Sequence, residues 1–340
     1  MGRPADEVPG EAHGEFALIA RHFTRKPRDA SVVVGVGDDA AVLAPTPGCE
    51  LVLAVDMMVE GRHFLPGTDP AALGHKILAV NLSDIAAMGA RPRWALLAGA
   101  LPDDDDRWLA AFSRGLYALA DEHGVDLVGG DTTRGPRNLC LTIAGEVPAG
   151  AAILRSGARA GDDLWVSGTL GDAMLGLAAI EGRTALDAGA RAACVARLER
   201  PAPRVALGIA LRGIASAMLD VSDGLTGDVG HLLERSNAGA TIELGAVPRS
   251  PALDRKLAGD ERALALACLL AGGDDYELVF SAPSARRDRV EAAGRGAGVP
   301  VTRIGRIVAG SGLVVVDERG APLAELPRAF DHFAPGPRRP

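Results

Sequence analysis

Four short apolar segments of this chain run directly into glycine and aspartate. They are VVVGVGDD at 32–39, VDLVGGD at 125–131, AMLDVSDG at 217–224 and LLAGGDD at 269–275. A strand or helix that ends in this way delivers carboxylates onto tight glycine turns, where the backbone is exposed. Carboxylates gathered together repel one another unless they are protonated or bridged by cations, and hard oxygen ligands suit Mg²⁺. The pattern therefore predicts a metal-dependent site for a phosphate-bearing substrate.

The length of the chain, 340 residues, favours two domains, because one ordinary hydrophobic core does not grow to that size. Strand-like segments rich in Val and Leu alternate with helical segments, which predicts an α/β (α+β) fold. We expect an N-terminal α/β domain over 1–148 and a C-terminal α/β domain over 149–340. The segment at 73–90 is predicted to form a helix with so little polar surface that it is covered on most sides.

Composition argues against several classes of protein. The longest apolar run, near 263–272, has half of the roughly 20 residues that a membrane span requires. The first residues, MGRPADEVPGEAHG, show no basic region followed by an apolar one, so secretion is not expected. The formal net charge is -8 and no basic cluster carries interleaved aromatics, so nucleic acid is not an expected partner. The four cysteines are widely spaced, as is typical of buried thiols in a reducing compartment. We expect a cytoplasmic protein.

A nucleotide cannot be held by the familiar lysine-containing phosphate loop. None of the three lysines follows a glycine, so no GxxxxGK[ST] motif exists, and the HRD and DFG signatures of protein kinases are also absent. Metal ions and arginine side chains are the remaining groups that could hold the phosphates of a nucleotide. Arg155 and Arg159 precede the second domain, and either is a candidate to clamp phosphate oxygens, although most arginines are simply solvated.

Asp84 is the most informative single acid, because it lies on an apolar stripe of the predicted helix at 73–90. Its companions on that stripe are Leu73, Ile77, Val80 and Met88. A carboxylate in such a position is costly unless it is hydrogen-bonded or metal-bound. A buried Asp bonded to neighbouring backbone is the alternative, and the other acids favour the metal.

The remaining acidic candidates follow glycine turns or close predicted strands. They are Asp39, Asp56, Asp131, Asp220 and Asp223. If the strands of the first half are neighbours in one sheet, Asp39, Asp56 and Asp131 meet at one edge, with Asp84 brought in from the helix. Each acid alone is equally well explained as a solvated turn residue, and Asp223 as a helix cap. His63 is the only histidine near this cluster in sequence, and a packed or surface histidine is its alternative.

Taken together, these motifs resemble the thiamine-monophosphate kinase family, part of a superfamily with aminoimidazole ribonucleotide synthetase and selenophosphate synthetase. The resemblance runs from GEFALIARHF near the start to AFDHF near the end. Between them stand, in order, GVGDDAAV, VDMMVEGRHFLPGTDP, LAVNLSDIAAMGARP, LVGGDTTRGP, RSGARAGDDLWVSGTLGDA, DVSDGL and GGDDYEL. So many ordered segments are far more specific than one glycine motif.

The resemblance implies a synthetase-like fold with an N-terminal domain that forms a homodimer by pairing sheets. It implies transfer of the γ-phosphoryl group of ATP to thiamine monophosphate. Six acids would hold several Mg²⁺ ions: Asp39, Asp56, Asp84, Asp131, Asp220 and Asp223. Contacts to ATP would come from Gly130, Arg155 and Ser222. The thiamine phosphate pocket would be shaped by His63, Asp274 and Phe330.

Two departures from the family pattern stand out. Ala54 and Val55 precede Asp56 where the family often has Ser-Thr, so hydroxyl ligands are lost there while backbone carbonyls remain. The family's GGEDYEL is GGDDYEL here, so Asp274 is one methylene shorter than the usual Glu, and its contact to substrate is expected to be longer or water-mediated.

The chemistry needs no strong general base, because the acceptor phosphate has a second pKa near 6 and is largely ionised at neutral pH. We expect direct in-line transfer without a phosphoenzyme. Three alternatives stay open: another ATP-dependent synthetase of the superfamily, resembling aminoimidazole ribonucleotide synthetase; a non-catalytic dimer that binds nucleotide; and a metal-dependent phosphatase. Selenophosphate synthesis is disfavoured, because no cysteine lies near the N-terminal glycine turn.

Overall fold

The computed structural model of the protein describes residues 14–328. In chain order its α-helices, α1 to α10, are Glu15–His22, Pro70–Ala87, Asp106–His123, Asp172–Ile180, Ala188–Glu199, Val205–Ala210, Leu225–Ser236, Pro251–Ala258, Arg262–Ala271 and Arg287–Ala297. Its strands, β1 to β12, are Val32–Val34, Val42–Leu43, Cys49–Val59, Arg91–Leu101, Asp126–Arg134, Asn138–Pro148, Asp162–Ser167, Ala217–Asp220, Gly239–Glu243, Leu278–Pro283, Val301–Val308 and Gly312–Val316. The expected mixture of helices and strands is confirmed.

The first half of the chain builds a four-stranded sheet in the order β3-β6-β4-β5. The β4–β5 pair is parallel and the other pairs are antiparallel. Strands β3 and β5 are therefore the two edges, which overturns the expectation that Asp56 and Asp131 lie on neighbouring strands. Both strands also continue beyond these acids, to Val59 and Arg134, so the expectation that the acids close their strands is wrong as well.

Residues 162–316 build a second, six-stranded sheet in the order β12-β9-β11-β7-β10-β8. All of its pairs are antiparallel except β12–β9. Every residue of β7 and of the edge strand β8 is buried, and the rings of Trp165 on β7 and Phe280 on β10 stack at 6.4 Å. The acid at the end of β8, Asp220, is carried by this rigid sheet.

Helix α2 lies between the two sheets and is covered by both. Fourteen of its eighteen residues are buried, as its apolar sequence predicts. On one side it packs against α3 and the first sheet, and on the other against α6 and β8. Gly208 of α6 approaches so closely that a Cβ atom there would lie 2.1 Å from the carbonyl oxygen of Ala86. We call this region, in which α2 lies between the first sheet and β8 of the second sheet, the seam.

One hydrophobic cluster runs through this seam. It joins α2 and the first sheet to Trp165, Met218, Leu278 and Phe280 of the second sheet. Strand β6 ends at Pro148, next to the expected boundary, but the division into domains over 1–148 and 149–340 stays a prediction. Within residues 14–328, none of the helices combines the length and the apolar character that crossing a bilayer requires.

Candidate active site

Asp84 faces the seam and meets Asp56 there. Asp56 projects from β3 toward α2, because it shares a cross-strand row with the buried residues Leu141 and Leu97. Burial, and then the charge of Asp220, raises the pKa of Asp56 to about 6 and that of Asp84 to about 8. The two carboxyl groups lie close enough that the charge of Asp56 contributes to the raised pKa of Asp84. The two acids form a closely coupled pair.

Asp220 joins this pair from the second sheet. Its carboxylate is buried and accepts a hydrogen bond of 2.7 Å from the Oγ of Ser83 on α2. Burial raises the pKa of Asp220, and the bond from Ser83 and the charge of Arg155 oppose that rise. The structure therefore places Asp56 of β3, Asp84 of α2 and Asp220 of β8 close enough for their charges to interact.

The turn after β8 is held by an acid that our sequence analysis did not select. Asp228, in the first turn of α7, accepts hydrogen bonds of 3.1 Å from the backbone N–H groups of Ser222, Asp223 and Gly224. Helix α7 has no side-chain cap, so the alternative role of Asp223 as its cap is wrong. Asp223 is instead close to the seam acids. After burial and the charge of Asp220, the charge of Asp223 also raises the pKa of Asp56. An acid four residues after the glycine of DVSDG is the signal in sequence for this turn.

Asp39 and Asp131 lie in a different place from the seam acids. Asp131 shares a cross-strand row with Met57, so it projects from the sheet face opposite to that of Asp56. Strands β3 and β5 are three spacings apart, about 14 Å. Asp39, Gly130 and Asp131 together line a cavity of about 1200 Å³, the β5 cavity, which extends from β5 across the first sheet to Leu53 of β3 and whose walls are otherwise largely apolar. The six predicted metal ligands thus form two groups.

Gly130 has a structural reason to be glycine. A Cβ atom at this position would lie 1.9 Å from the carbonyl oxygen of Leu97 on the neighbouring strand β4. The same close approach of the backbone leaves the cavity wall at Gly130 without a side chain. Packing of the sheet and access to the cavity therefore make the same demand on this residue.

The GGDDYEL segment carries Asp274 into the seam on a strained backbone. Asp274 and Tyr276 both adopt positive φ, at 61° and 52°, which is unusual for residues other than glycine. The carboxylate of Asp274 accepts a bond of 2.9 Å from the Nζ of Lys76, which is buried on α2. The sequence analysis did not select Lys76. Lys76 and Asp84 are the two members of α2 that are Asp, Glu, Lys or Arg.

The other two acids of this segment hold the architecture. Asp275 accepts bonds of 2.9 Å from the backbone N–H of Gly171, which starts α4. Glu277 is fully buried and binds Arg197 at 2.7 Å and Arg204 through two further bonds. Only Asp274 of the three is therefore placed for contact with a ligand in the seam.

The remaining predicted residues are placed as follows. Ser222 lies in the turn held by Asp228, and Arg155 is exposed and close enough to lower the pKa of Asp84 against the effect of burial. His63 follows β3, and its Nδ1 accepts a bond of 3.0 Å from the backbone N–H of Val59. Phe330 lies outside the described residues.

The donor set of the seam fits Mg²⁺ shared with a phosphate ligand. Over residues 14–328, no three His, Cys, Asp or Glu side chains converge into a metal-ligating arrangement of their own. Mg²⁺ in phosphoryl-transfer sites uses one or two carboxylates and completes its shell with phosphate oxygens and water. The coupled pair of Asp56 and Asp84, with Asp220 and Asp223 nearby, offers that number of hard oxygen donors.

Two family profiles match most of the chain. The profile described as AIR synthase related protein, N-terminal domain, matches residues 37–147. The profile described as AIR synthase related protein, C-terminal domain, matches residues 159–318. The first profile covers the strand that carries Asp56 and the helix that carries Asp84. The second profile covers the sheet that carries Asp220.

Curated relatives resemble the chain over almost their whole length. A thiamine-monophosphate kinase of Salmonella typhimurium is 46% identical over 326 residues, which cover 95% of this chain and 99% of the relative. One of Haemophilus influenzae is 42% identical over 87% of this chain and 90% of the relative. Among solved structures, thiamine-monophosphate kinase from Stenotrophomonas maltophilia superposes with a TM-score of 0.80 at 45% identity, covering 85% of this chain and 92% of the other. AaThiL complexed with AMPPCP and TMP gives a TM-score of 0.74 at 30% identity, covering 85% and 89%.

Proposed function

The chain belongs to the thiamine-monophosphate kinase family of AIR synthase related proteins, and on that premise we propose that it phosphorylates thiamine monophosphate with ATP. The products are thiamine diphosphate and ADP. The observation that carries this proposal is the meeting of Asp56, Asp84 and Asp220, from three elements, beside the strained segment at Asp274. A site of this kind suits a reaction between two polyanions.

The residues of the seam would act by positioning and by charge compensation. The acceptor is itself a phosphate, so no side chain has to remove a proton from a poorly acidic hydroxyl group. The difficulty is repulsion between the acceptor and the triphosphate inside an acidic protein. A direct in-line displacement, with no covalent enzyme intermediate, is the mechanism that this arrangement supports.

Asp56, Asp84, Asp220 and Asp223 would hold Mg²⁺ in the seam. Mg²⁺ held there would neutralise the charge of the carboxylates and of the substrate phosphates. Burial of these acids supports the assignment, because it raises the pKa of Asp56 and Asp84 and a bound cation would favour their charged forms. Asp39 and Asp131 are proposed as ligands at the β5 cavity, which makes several ions the expected number.

ATP would be held by groups of both regions. Ser222 presents a turn whose backbone Asp228 holds in place, and Arg155 supplies a guanidinium beside the seam acids. Gly130 lines the cavity of about 1200 Å³, which is large enough for a nucleotide. For the second substrate, His63 and Asp274 are the proposed contacts within residues 14–328, and Phe330 is the proposed contact beyond them.

We also propose a homodimer formed by the outer face of the first sheet along β3. Leu53 and Leu96 of this face also line the β5 cavity, so the proposed interface borders the proposed ATP site. Four apolar residues of β3 point to this face and are half or more exposed: Leu51, Leu53, Val55 and Met57. Leu96 of β4, 42% exposed, lies in the same cross-strand rows as Val55. A contiguous apolar face of this kind is typical of a protein–protein interface. The four free cysteines support the cytoplasm as the compartment.

The test is a coupled assay of product formation with and without Mg²⁺. We expect thiamine diphosphate and ADP in equal amounts when ATP, Mg²⁺ and thiamine monophosphate are all present. ADP formation with an aminoimidazole precursor instead would identify a synthetase of the superfamily. Phosphate release without any acceptor would identify a phosphatase, and ligand binding without ADP would identify a non-catalytic dimer.

A further inference from the structure

Lys76 is an unusual lysine for this protein. Of the three lysines it alone is buried, with 5% of its surface exposed, whereas Lys26 is exposed and Lys256 is paired with Glu261. A long cationic side chain is rarely buried unless it is paired. Its partner here is Asp274, 2.9 Å away and itself 27% exposed on its side chain.

The segment that carries Asp274 is held against the DVSDG turn at 220–224, which contains Ser222. The backbone N–H of Asp274 donates to the carbonyl oxygen of Ser222 at 2.8 Å, and that of Tyr276 donates to Val221 at 2.9 Å. A Cβ atom on Gly273 would lie 2.3 Å from the carbonyl oxygen of Ser222. These contacts fix the Asp274 carboxylate, and with it the ammonium group of Lys76, next to the DVSDG turn.

Lys76 also lies on the face of α2 that meets the seam acids. Ser83 follows it by seven residues, so the two share one face of the helix, about 10 Å apart along its axis. Ser83 donates to Asp220, which places that face against the second sheet. The ammonium group of Lys76 and the acid group formed by Asp56, Asp84 and Asp220 therefore line the same seam.

An ion pair buried in this way is not explained by stability. Desolvating an ammonium group and a carboxylate costs about as much as their attraction returns, and apolar residues of similar size often stabilise a protein equally well. The positive φ of Asp274 and Tyr276 adds strain, and strain of this kind concentrates at functional sites. The pair is therefore better explained by a task in ligand binding.

We propose that Lys76 binds the phosphate of the acceptor substrate, exchanging its ion pair with Asp274 for one with that phosphate. Asp274, released from Lys76, then faces the cationic thiazolium part of the same molecule. No covalent bond changes in this step. The inference rests on the proposed function, because it assigns a group to the substrate of that reaction.

The test compares binding of thiamine monophosphate and of thiamine, which lacks the phosphate, without ATP. In K76M we expect the affinity for thiamine monophosphate to fall about ten- to hundred-fold, while that for thiamine stays within about two-fold. In K76R, which keeps the charge, most of the preference for the phosphorylated ligand should return. K256M removes a lysine outside the seam and should bind both ligands like the wild type.

A merely structural role for Lys76 predicts a different pattern. If the lysine only neutralises Asp274, the double variant K76M/D274N should bind thiamine monophosphate as well as D274N alone does. If Lys76 binds the phosphate, the double variant should be at least about ten-fold weaker than D274N. Circular dichroism and the thermal midpoint show whether each variant is folded.

Equal loss of affinity for both ligands in K76M, or no loss, overturns the assignment while the wild type still binds thiamine monophosphate. In that case the proposed function stands without this residue. Failure of the wild type itself to bind thiamine monophosphate would instead remove the proposed function. A kinetic readout gives the same distinction: KM for thiamine monophosphate should rise in K76M while KM for ATP stays unchanged.

Discussion

The buried carboxylates of this protein have two roles, one in holding the fold and one in the proposed site, and their hydrogen-bond partners distinguish the two. Asp228, Asp275 and Glu277 accept bonds from backbone N–H groups or arginines and hold turns and helices in place. Asp56 and Asp84 have each other as a partner, and burial raises the pKa of both. The acids without a structural partner of opposite charge are therefore the ones available to a cation.

Asp84→Asn should abolish turnover while leaving the fold intact. Asn keeps the shape of the side chain but cannot supply a negative oxygen to Mg²⁺, so we expect kcat to fall by two or more orders of magnitude, at a cost of roughly 3 kcal/mol in transition-state stabilisation. The thermal midpoint should stay close to that of the wild type, because no buried charge is left unpaired. D104N, at an exposed acid before α3, is the control, and near-normal activity of D84N would remove Asp84 from the site.

Two histidines should lower the free energy of unfolding on the acid side, against Asp56 and Asp84, whose raised pKa values act in the opposite direction. Burial lowers the pKa of His75 and of His123 below the ordinary value of 6.5. The unfolded chain therefore binds protons first, and stability that is fully present above about pH 6.5 is lost as the pH falls through the folded-state pKa values.

The measurement is urea unfolding of the wild type and of H123Q between about pH 8 and about pH 5. The free energy of unfolding of H123Q should decline less steeply with acid than that of the wild type. H231Q, which changes an exposed histidine on α7, should follow the wild type. Parallel curves for all three proteins would contradict the role of His123.

At the scale of helices and strands, local signals predict some ends well. Helix α3 ends at His123, because the next residue, Gly124, adopts the left-handed conformation with φ 66°. Its start is capped by the side chain of Asp105, which belongs to an acidic run at 103–106. Such ends depend on neighbours in sequence, so the sequence alone suffices.

Elements that depend on distant partners are not predicted. Strand β9 has five residues and exists because β11 and β12, more than sixty residues later, pair with it. Helix α5 lies in a stretch rich in Ala and Arg, whose residues alone do not indicate a buried face. The six candidate metal ligands are named from the sequence, but their division into two groups follows from the strand order, which the sequence does not show.

The crossing of α2 and α3 should be intolerant of any added carbon atom. A Cβ atom on Gly115 would lie 1.9 Å from the carbonyl oxygen of Ala71, and one on Gly74 would lie 2.0 Å from that of Phe112. We expect Gly115→Ala to lower the free energy of unfolding by about 3 kcal/mol, because the helices must move apart. Denaturant unfolding measures this effect.

Gly230→Ala is the matched control for that prediction. Gly230 is also in a helix, α7, but a Cβ atom there meets nothing within 4 Å. The substitution should stabilise the protein by about 0.5–1 kcal/mol through helix propensity alone. A similar loss of stability in both variants would mean that the close contact between α2 and α3 is not what makes Gly115 necessary.

At the scale of the whole molecule, the two faces of the first sheet differ. The inner face packs on α2 and is continuous with the core of the second sheet, whereas the outer face presents exposed apolar residues along β3. Each face therefore has its own kind of partner: another part of the same chain on one side, and the proposed second copy on the other.

Val55→Glu should convert the proposed dimer into monomers. Val55 is 60% exposed on the outer face, and a carboxylate buried between two copies would be strongly unfavourable. Sedimentation or light scattering should show half the wild-type mass at micromolar concentration. V314E, at an exposed valine on β12, should leave the mass unchanged. An unchanged mass for V55E would show that this face is not the interface.

The placement of α2 also bears on how the protein is made on the ribosome. Its last residue, Ala87, is synthesised long before Met218 and Phe280, which complete its apolar surroundings. At ordinary elongation rates that delay is roughly 10 to 40 s. During this time one side of the apolar helix α2 remains exposed to solvent in the growing polypeptide. Exposed apolar surface of this kind favours binding by chaperones.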